Sequence, residues 1–108
     1  MADVAESLAC EFCGREFTPG SYWHGANYCR AAYLAGVIRE HPDMSTWELA
    51  QFTGMTYADS AKGLAKARDE GLVEYTAETR EAGGTRYRYR LADGWEEVIN
   101  RWRARSLI

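Results

Sequence analysis

The sequence is poor in several things that would have settled its class at once. It has two prolines, two histidines and two lysines in 108 residues. No apolar run approaches the ~18 residues that a membrane-spanning helix needs, so a transmembrane protein is excluded. Met1 to Leu8 carries two acids, no base and no apolar core. That is not a secretory signal, and the expected compartment is the cytoplasm. Three cysteines cannot close a disulfide framework without leaving one over, and close spacing in a cytosolic chain points to metal instead. Nucleophile-elbow, metalloprotease and phosphate-loop spacings are all missing. The acid pairs Asp69-Glu70 and Glu96-Glu97 are adjacent, so on a helix they point apart. His41 stands beside Pro42 at a helix end. No catalytic constellation results, and no enzyme is expected.

What remains is ordinary globular material, 46% hydrophobic and 27% charged, with a net charge of −3. The charge is unevenly placed. Eleven of the thirteen bases are arginine, which together with abundant alanine suggests a GC-rich genome. Arg86, Arg88 and Arg90 alternate along one segment, and Arg101, Arg103 and Arg105 lie near the end. An acidic chain can still present a basic face.

Hydrophobic periodicity orders residues 30–106 into six elements. Ala31, Leu34, Ala35, Val37 and Ile38 give a helical stripe over residues 30–40, stopped by Pro42. Ser45 with Glu48 is a capping box opening a helix over 46–52, with Trp47, Leu49, Ala50 and Phe52 expected to be buried. Gly54 supplies a turn, and Thr56 caps a helix over 57–70 that Gly71 ends. Residues 72–79 and 85–91 alternate as two strands around Gly83-Gly84, a pair that tolerates positive φ: a β-hairpin. In the second strand Tyr87 and Tyr89 oppose the arginines and are expected in the core. Residues 93–106 read as an amphipathic helix with Trp95, Val98, Ile99 and Trp102 on one stripe. That stripe can complete the core or build a homodimer.

All three cysteines fall within residues 9–29, a segment too short and polar to bury a core alone. Cys10 and Cys13 form a C-x-x-C knuckle, and His24 and Cys29 an H-x4-C pair. Thiolate and imidazole suit tetrahedral zinc, and four protein ligands make a closed, structural site. Such an ion contributes roughly 10 kcal/mol or more to folding. Cys29 falls at a helix N-terminus, where the dipole favours a thiolate. The alternative, a redox pair at Cys10 and Cys13, normally opens a helix in a thioredoxin-like fold, which nothing here supplies. The stretch "CEFCGREFTP", with "NYC" leading into a helix, resembles small treble-clef zinc fingers of bacterial and phage proteins. Where that pattern places a fourth ligand, three residues after the third, this chain has Ala32, so His24 is the expected substitute.

The order helix, helix, turn, helix, hairpin is the winged helix-turn-helix plan. "ELAQFTGM", "DEGLVEY" and "YRYRLADGW" follow one another as in that family of transcription regulators, and the resemblance covers residues 33–100. It implies that the helix from 57 to 70 enters a DNA major groove. Thr56, Tyr57, Ser60, Lys62 and Lys66 would then meet bases or phosphates. Arg80, Arg86 and Arg88 would contact the backbone or minor groove from the wing, residues 79–86. Gly63 is expected to face outward in varying degree with these residues.

The expected fold is α+β: residues 1–8 a flexible N-terminus, 9–29 a zinc finger, and 30–108 a winged helix-turn-helix sharing one core with it. Phe12, Phe17, Tyr22 and Trp23 would bridge the two parts. The expected function is binding of double-stranded DNA by a small, nucleoid-associated regulator of phage or mobile-element type, with one structural Zn²⁺. No membrane and no small-molecule substrate is expected. The other class is a protein-interaction adaptor to the transcription or replication machinery, which the acidic net charge also suits.

Overall fold

A computed structural model describes residues 28–108 in full, with the backbone alone of Asn27 and of two short strands, β1 (Leu8–Ala9) and β2 (Glu16–Phe17). These strands pair antiparallel, Leu8 opposite Phe17 and Ala9 opposite Glu16. Then follow α1 (Asn27–Glu40), α2 (Thr46–Thr53), α3 (Tyr57–Asp69), β3 (Val73–Thr79), β4 (Thr85–Leu91) and α4 (Trp95–Ala104). Cys10, Cys13, His24, Phe12, Tyr22 and Trp23 lie outside the described residues, as do the side chain of Phe17 and most of the 9–29 segment. Cys29 lies inside them, in the first turn of α1.

Helix α1 is the axis of the core. Cys29 to Ile38 are all buried, because α1 has α3 on one side and β4 on another. The crossing with α3 is close. A Cβ on Gly63 would stand 2.6 Å from Leu34 Cδ1 and 3.0 Å from Arg30 Cγ. Ser60, Gly63, Leu64 and Ala67 form the inward face of α3, at the i, i+3, i+4 and i+7 positions that one helix face requires. Ser60 and Gly63 therefore do not face outward as the sequence suggested.

The short elements are fixed locally. The Ser45 hydroxyl accepts from the Glu48 N–H, and the Glu48 carboxylate accepts from the Ser45 N–H, completing the capping box. At the other end of α2, Gly54 has φ 78° and donates to the Ala50 carbonyl, a conformation that a Cβ disfavours. The buried Thr53 hydroxyl donates to the Leu49 carbonyl and accepts from the Met55 N–H, which holds the turn into α3.

Strands β3 and β4 are antiparallel, with Tyr75 opposite Tyr89 and Glu78 opposite Arg86. Met44 bridges to Tyr89 on the far side of β4. Only the hairpin's root meets the helices: Val73 and Tyr89 are buried, whereas Tyr87 is 41% exposed. Tyr87 is thus not a core residue; it borders an open cleft instead.

The stripe of α4 closes the core: Val98, Ile99 and Trp102 are buried, so this face is used within the chain. Trp95 is half-buried beneath the Arg39 guanidinium. Beyond α4, Ser106 takes φ 58° and the Leu107 N–H returns to the Trp102 carbonyl. The Cys29 thiol donates to the Leu107 carbonyl at 3.8 Å, and Tyr28 meets Trp102 edge-on. The start of α1 is thereby clasped to the end of the chain.

The α1–α3 crossing gives a test. An alanine at position 63 would gain about 1 kcal/mol of helix propensity, but must displace a fully buried leucine whose burial is worth roughly 1.5–3 kcal/mol. A valine adds more bulk to the same gap. Gly63→Val is expected to lower stability by about 2 kcal/mol, read by urea denaturation. Unchanged stability would contradict the close crossing.

Candidate nucleic-acid interface

The outward side of α3 begins at its cap. The exposed Thr56 hydroxyl accepts from the Asp59 N–H at 3.0 Å, so it caps the helix and keeps its own O–H free to donate. Tyr57 is 59% exposed and Lys62 is exposed. Of the other residues expected on this face, Ser60 is fully buried and is withdrawn from it. Lys66 is half-buried, with its ammonium 4.7 Å from the centre of the Tyr28 ring. Lys62 is the cation of α3 that has neither an ion-pair nor a ring partner among the described residues.

The wing arginines divide in two. Arg88 reaches Glu78 at 3.3 Å and Glu48 at 3.9 Å, and donates to the Asp43 carbonyl at 3.0 Å. Arg90 pairs with Glu74 at 3.6 Å. Exposed pairs of this kind add little stability, but they occupy the donors. Arg88, expected at the DNA, ties the hairpin to the start of α2. Arg80 and Arg86 have no ion-pair partner among the described residues. They flank a tip closed by Arg80 N–H donating to the Gly84 carbonyl and Gly83 N–H to the Arg80 carbonyl. Gly83 and Gly84 both have positive φ, as such a tip requires.

Between the hairpin and the starts of α2 and α3 lies a cleft of about 580 Å³. Trp47, Glu48, Tyr57, Arg80, Arg86 and Tyr87 line it, with Ser45, Thr46 and Thr85 adding hydroxyls. Trp47 is 62% exposed and Phe52 53%, against the expectation that α2 buries both. The inward arc of α2 is Leu49, Ala50 and Thr53. At about 100° per residue, Trp47 and Phe52 each stand roughly 110° from its centre, a signal that a helical wheel would have given.

Glu48 is the acid in this cleft. Its carboxyl is held below the ordinary glutamate range, first by the Ser45 backbone N–H, then by the Ser45 hydroxyl and the Arg88 and Arg86 charges, with burial opposing. Among the described residues no group of three metal-ligating side chains comes together, and no helix is long and apolar enough to cross a membrane.

No protein-family model matches the sequence, and no curated protein matches it. Solved structures do match the fold. PadR of Bacillus subtilis, solved in complex with operator DNA, is similar at a TM-score of 0.55 and 17% identity, over 68% of this chain and 46% of that one. A possible transcriptional regulator from Methanosarcina mazei Go1 is similar at 0.56 and 13%, over 95% and 92%. The chain thus spans less than half of PadR's length. At these identities the likeness is one of fold: four helices and a two-stranded antiparallel hairpin, arranged as a winged helix.

The Glu48 network predicts a pH effect. A carboxyl held lower in the folded chain than in the unfolded one stabilises above the ordinary glutamate range, and the effect fades as pH falls through it. Glu48→Ala should cost about 0.3–1 kcal/mol near neutrality, as for an exposed acid in the first turn of a helix. The gap in melting temperature to the parent chain should narrow from pH 7 towards pH 3. A gap that does not change with pH would remove the carboxylate's role.

Proposed function

We propose that this chain is a winged helix-turn-helix regulator that binds double-stranded DNA. The observation that carries the reading is that Tyr57, at the start of α3, faces Arg80 and Arg86 of the wing across one cleft. Thr56 and Lys62 continue that outward side along α3. The helix start meets the major groove, and the wing takes the backbone or minor groove, residues 79–86 supplying its tip. The fold shared with a protein solved on operator DNA supports this assignment.

The contact set is smaller than the sequence suggested. Thr56, Tyr57 and Lys62 act from α3 and Arg80 and Arg86 from the wing, while Arg88 and Ser60 support the frame. A protein-adaptor role has the exposed Trp47 and Phe52 in its favour. The arginines without partners favour DNA over it.

A structural zinc on Cys10, Cys13, His24 and Cys29 belongs to the same proposal. The antiparallel pairing of β1 and β2, which flank the Cys10–Cys13 knuckle in sequence, supports it. So does the place of Cys29 in the first turn of α1, although as a zinc thiolate it would give up the proton it donates to Leu107. Bound zinc would supply folding energy to the segment and no chemistry. Cys13→Ser is expected to lower both the zinc content and the melting temperature; if neither changes, the metal is removed from the reading.

The DNA test is a titration against mixed-sequence duplex at several salt concentrations. Affinity should fall steeply as salt rises, with a log–log slope of about −0.9 for each phosphate neutralised. Arg86→Ala should weaken binding and reduce that slope by about one phosphate, at an unchanged melting temperature. No binding at about 50 mM salt, where non-specific contacts should show, would overturn the reading in favour of a protein partner.

A further inference from the structure

The cleft between wing and helices holds more aromatic surface than backbone contact requires. Trp47, Tyr57 and Tyr87 line it, and all three are partly exposed. Among the described residues none of these rings touches another of the three, so they border the space and do not fill it. Tyr87 is held from behind by Tyr75, edge-on at 4.7 Å. Arg80 and Arg86 add two cations without ion-pair partners among the described residues. Glu48 adds an acceptor: its contacts with the Ser45 N–H and with Arg88 both fall on Oε1, so Oε2 is open among the described residues.

The geometry points to a nucleotide site. The phosphate, carrying about −1.5 to −2 at neutral pH as its second pKa lies near 6, sits on Arg80 and Arg86. The base lies against Trp47, Tyr57 and Tyr87, and its exocyclic amine donates to Glu48 Oε2. A cleft of about 580 Å³ falls within the range of small-ligand sites, and aromatic stacking with cationic anchoring is how unpaired bases are held. The same chemistry comes from a free nucleotide or from one unpaired residue of a single strand. Either occupant takes Arg80 and Arg86, so on the duplex reading above it competes with DNA.

Calorimetry of the full chain with dAMP tests this, with adenosine, ribose 5-phosphate and dIMP as controls. dAMP should bind, and each control should bind about tenfold weaker or worse, since adenosine lacks the phosphate, ribose 5-phosphate the stacking base and dIMP the exocyclic amine. Trp47→Ala and the double variant Arg80→Gln/Arg86→Gln should each lose dAMP to a similar degree; both alter exposed side chains, and their melting temperatures confirm folding. Binding of the oligonucleotide (dA)8 without dAMP would support the site and assign it to single strands. No binding of either, or ribose 5-phosphate binding as well as dAMP, would overturn the proposal. Lys62→Ala separates the two readings: it should weaken duplex binding and leave dAMP untouched. A failed nucleotide site therefore shows independently of a failed duplex interface.

Discussion

The close approach of α1 and α3 at Gly63 governs the rest of the molecule. Because Leu34 and Arg30 fill the space where a side chain would stand, α3 can turn only one face inward. Ser60, Gly63, Leu64 and Ala67 must be that face, and Thr56, Tyr57 and Lys62 are turned out as a result. The small residues of α3 are its fit to α1. A helix that forfeits about 1 kcal/mol of propensity at glycine recovers it through packing.

Charge pairing turns an acidic chain into one with a local basic face. Glu78 and Glu74 neutralise Arg88 and Arg90 at the hairpin's root, and Arg80 and Arg86, towards its tip, have no ion-pair partner among the described residues. Arg88 also touches the Asp43 carbonyl and the same Glu48 that caps α2. Wing and helix-turn-helix are therefore joined by one guanidinium. The cleft between them has walls set by hydrogen bonds on both sides, and net charge says little about what those walls attract.

Much of the fold was legible in the sequence because its signals are local. Ser45 with Glu48, Thr56, Gly54 and the Gly83-Gly84 turn each act within a few residues, and the element bounds follow them to within about three positions. The fold class and the outward start of α3 follow from these. The failures have two causes: helix faces not read from their own spacing, and burial that depends on neighbours distant in sequence. Trp47 and Phe52 are apolar but lie off the inward arc of an eight-residue helix. Tyr87 alternates correctly yet borders the open cleft and not the core. Ser60 is polar, yet its spacing from Gly63, Leu64 and Ala67 already places it on the inward face. Arg88 is indistinguishable from Arg86 until Glu48 and Asp43 are brought beside it. The cleft itself joins residues 45–48, 57 and 80–87, and no linear motif spans them.

The clasp between Cys29 and Leu107 joins groups 78 positions apart, whereas the helix-turn-helix and hairpin join near neighbours. Loop-closure entropy rises with the separation bridged, and distant pairings form slowly. The segment from α2 through β4 can therefore assemble early from contacts close in sequence, with α4 and the last residues docking afterwards on the start of α1.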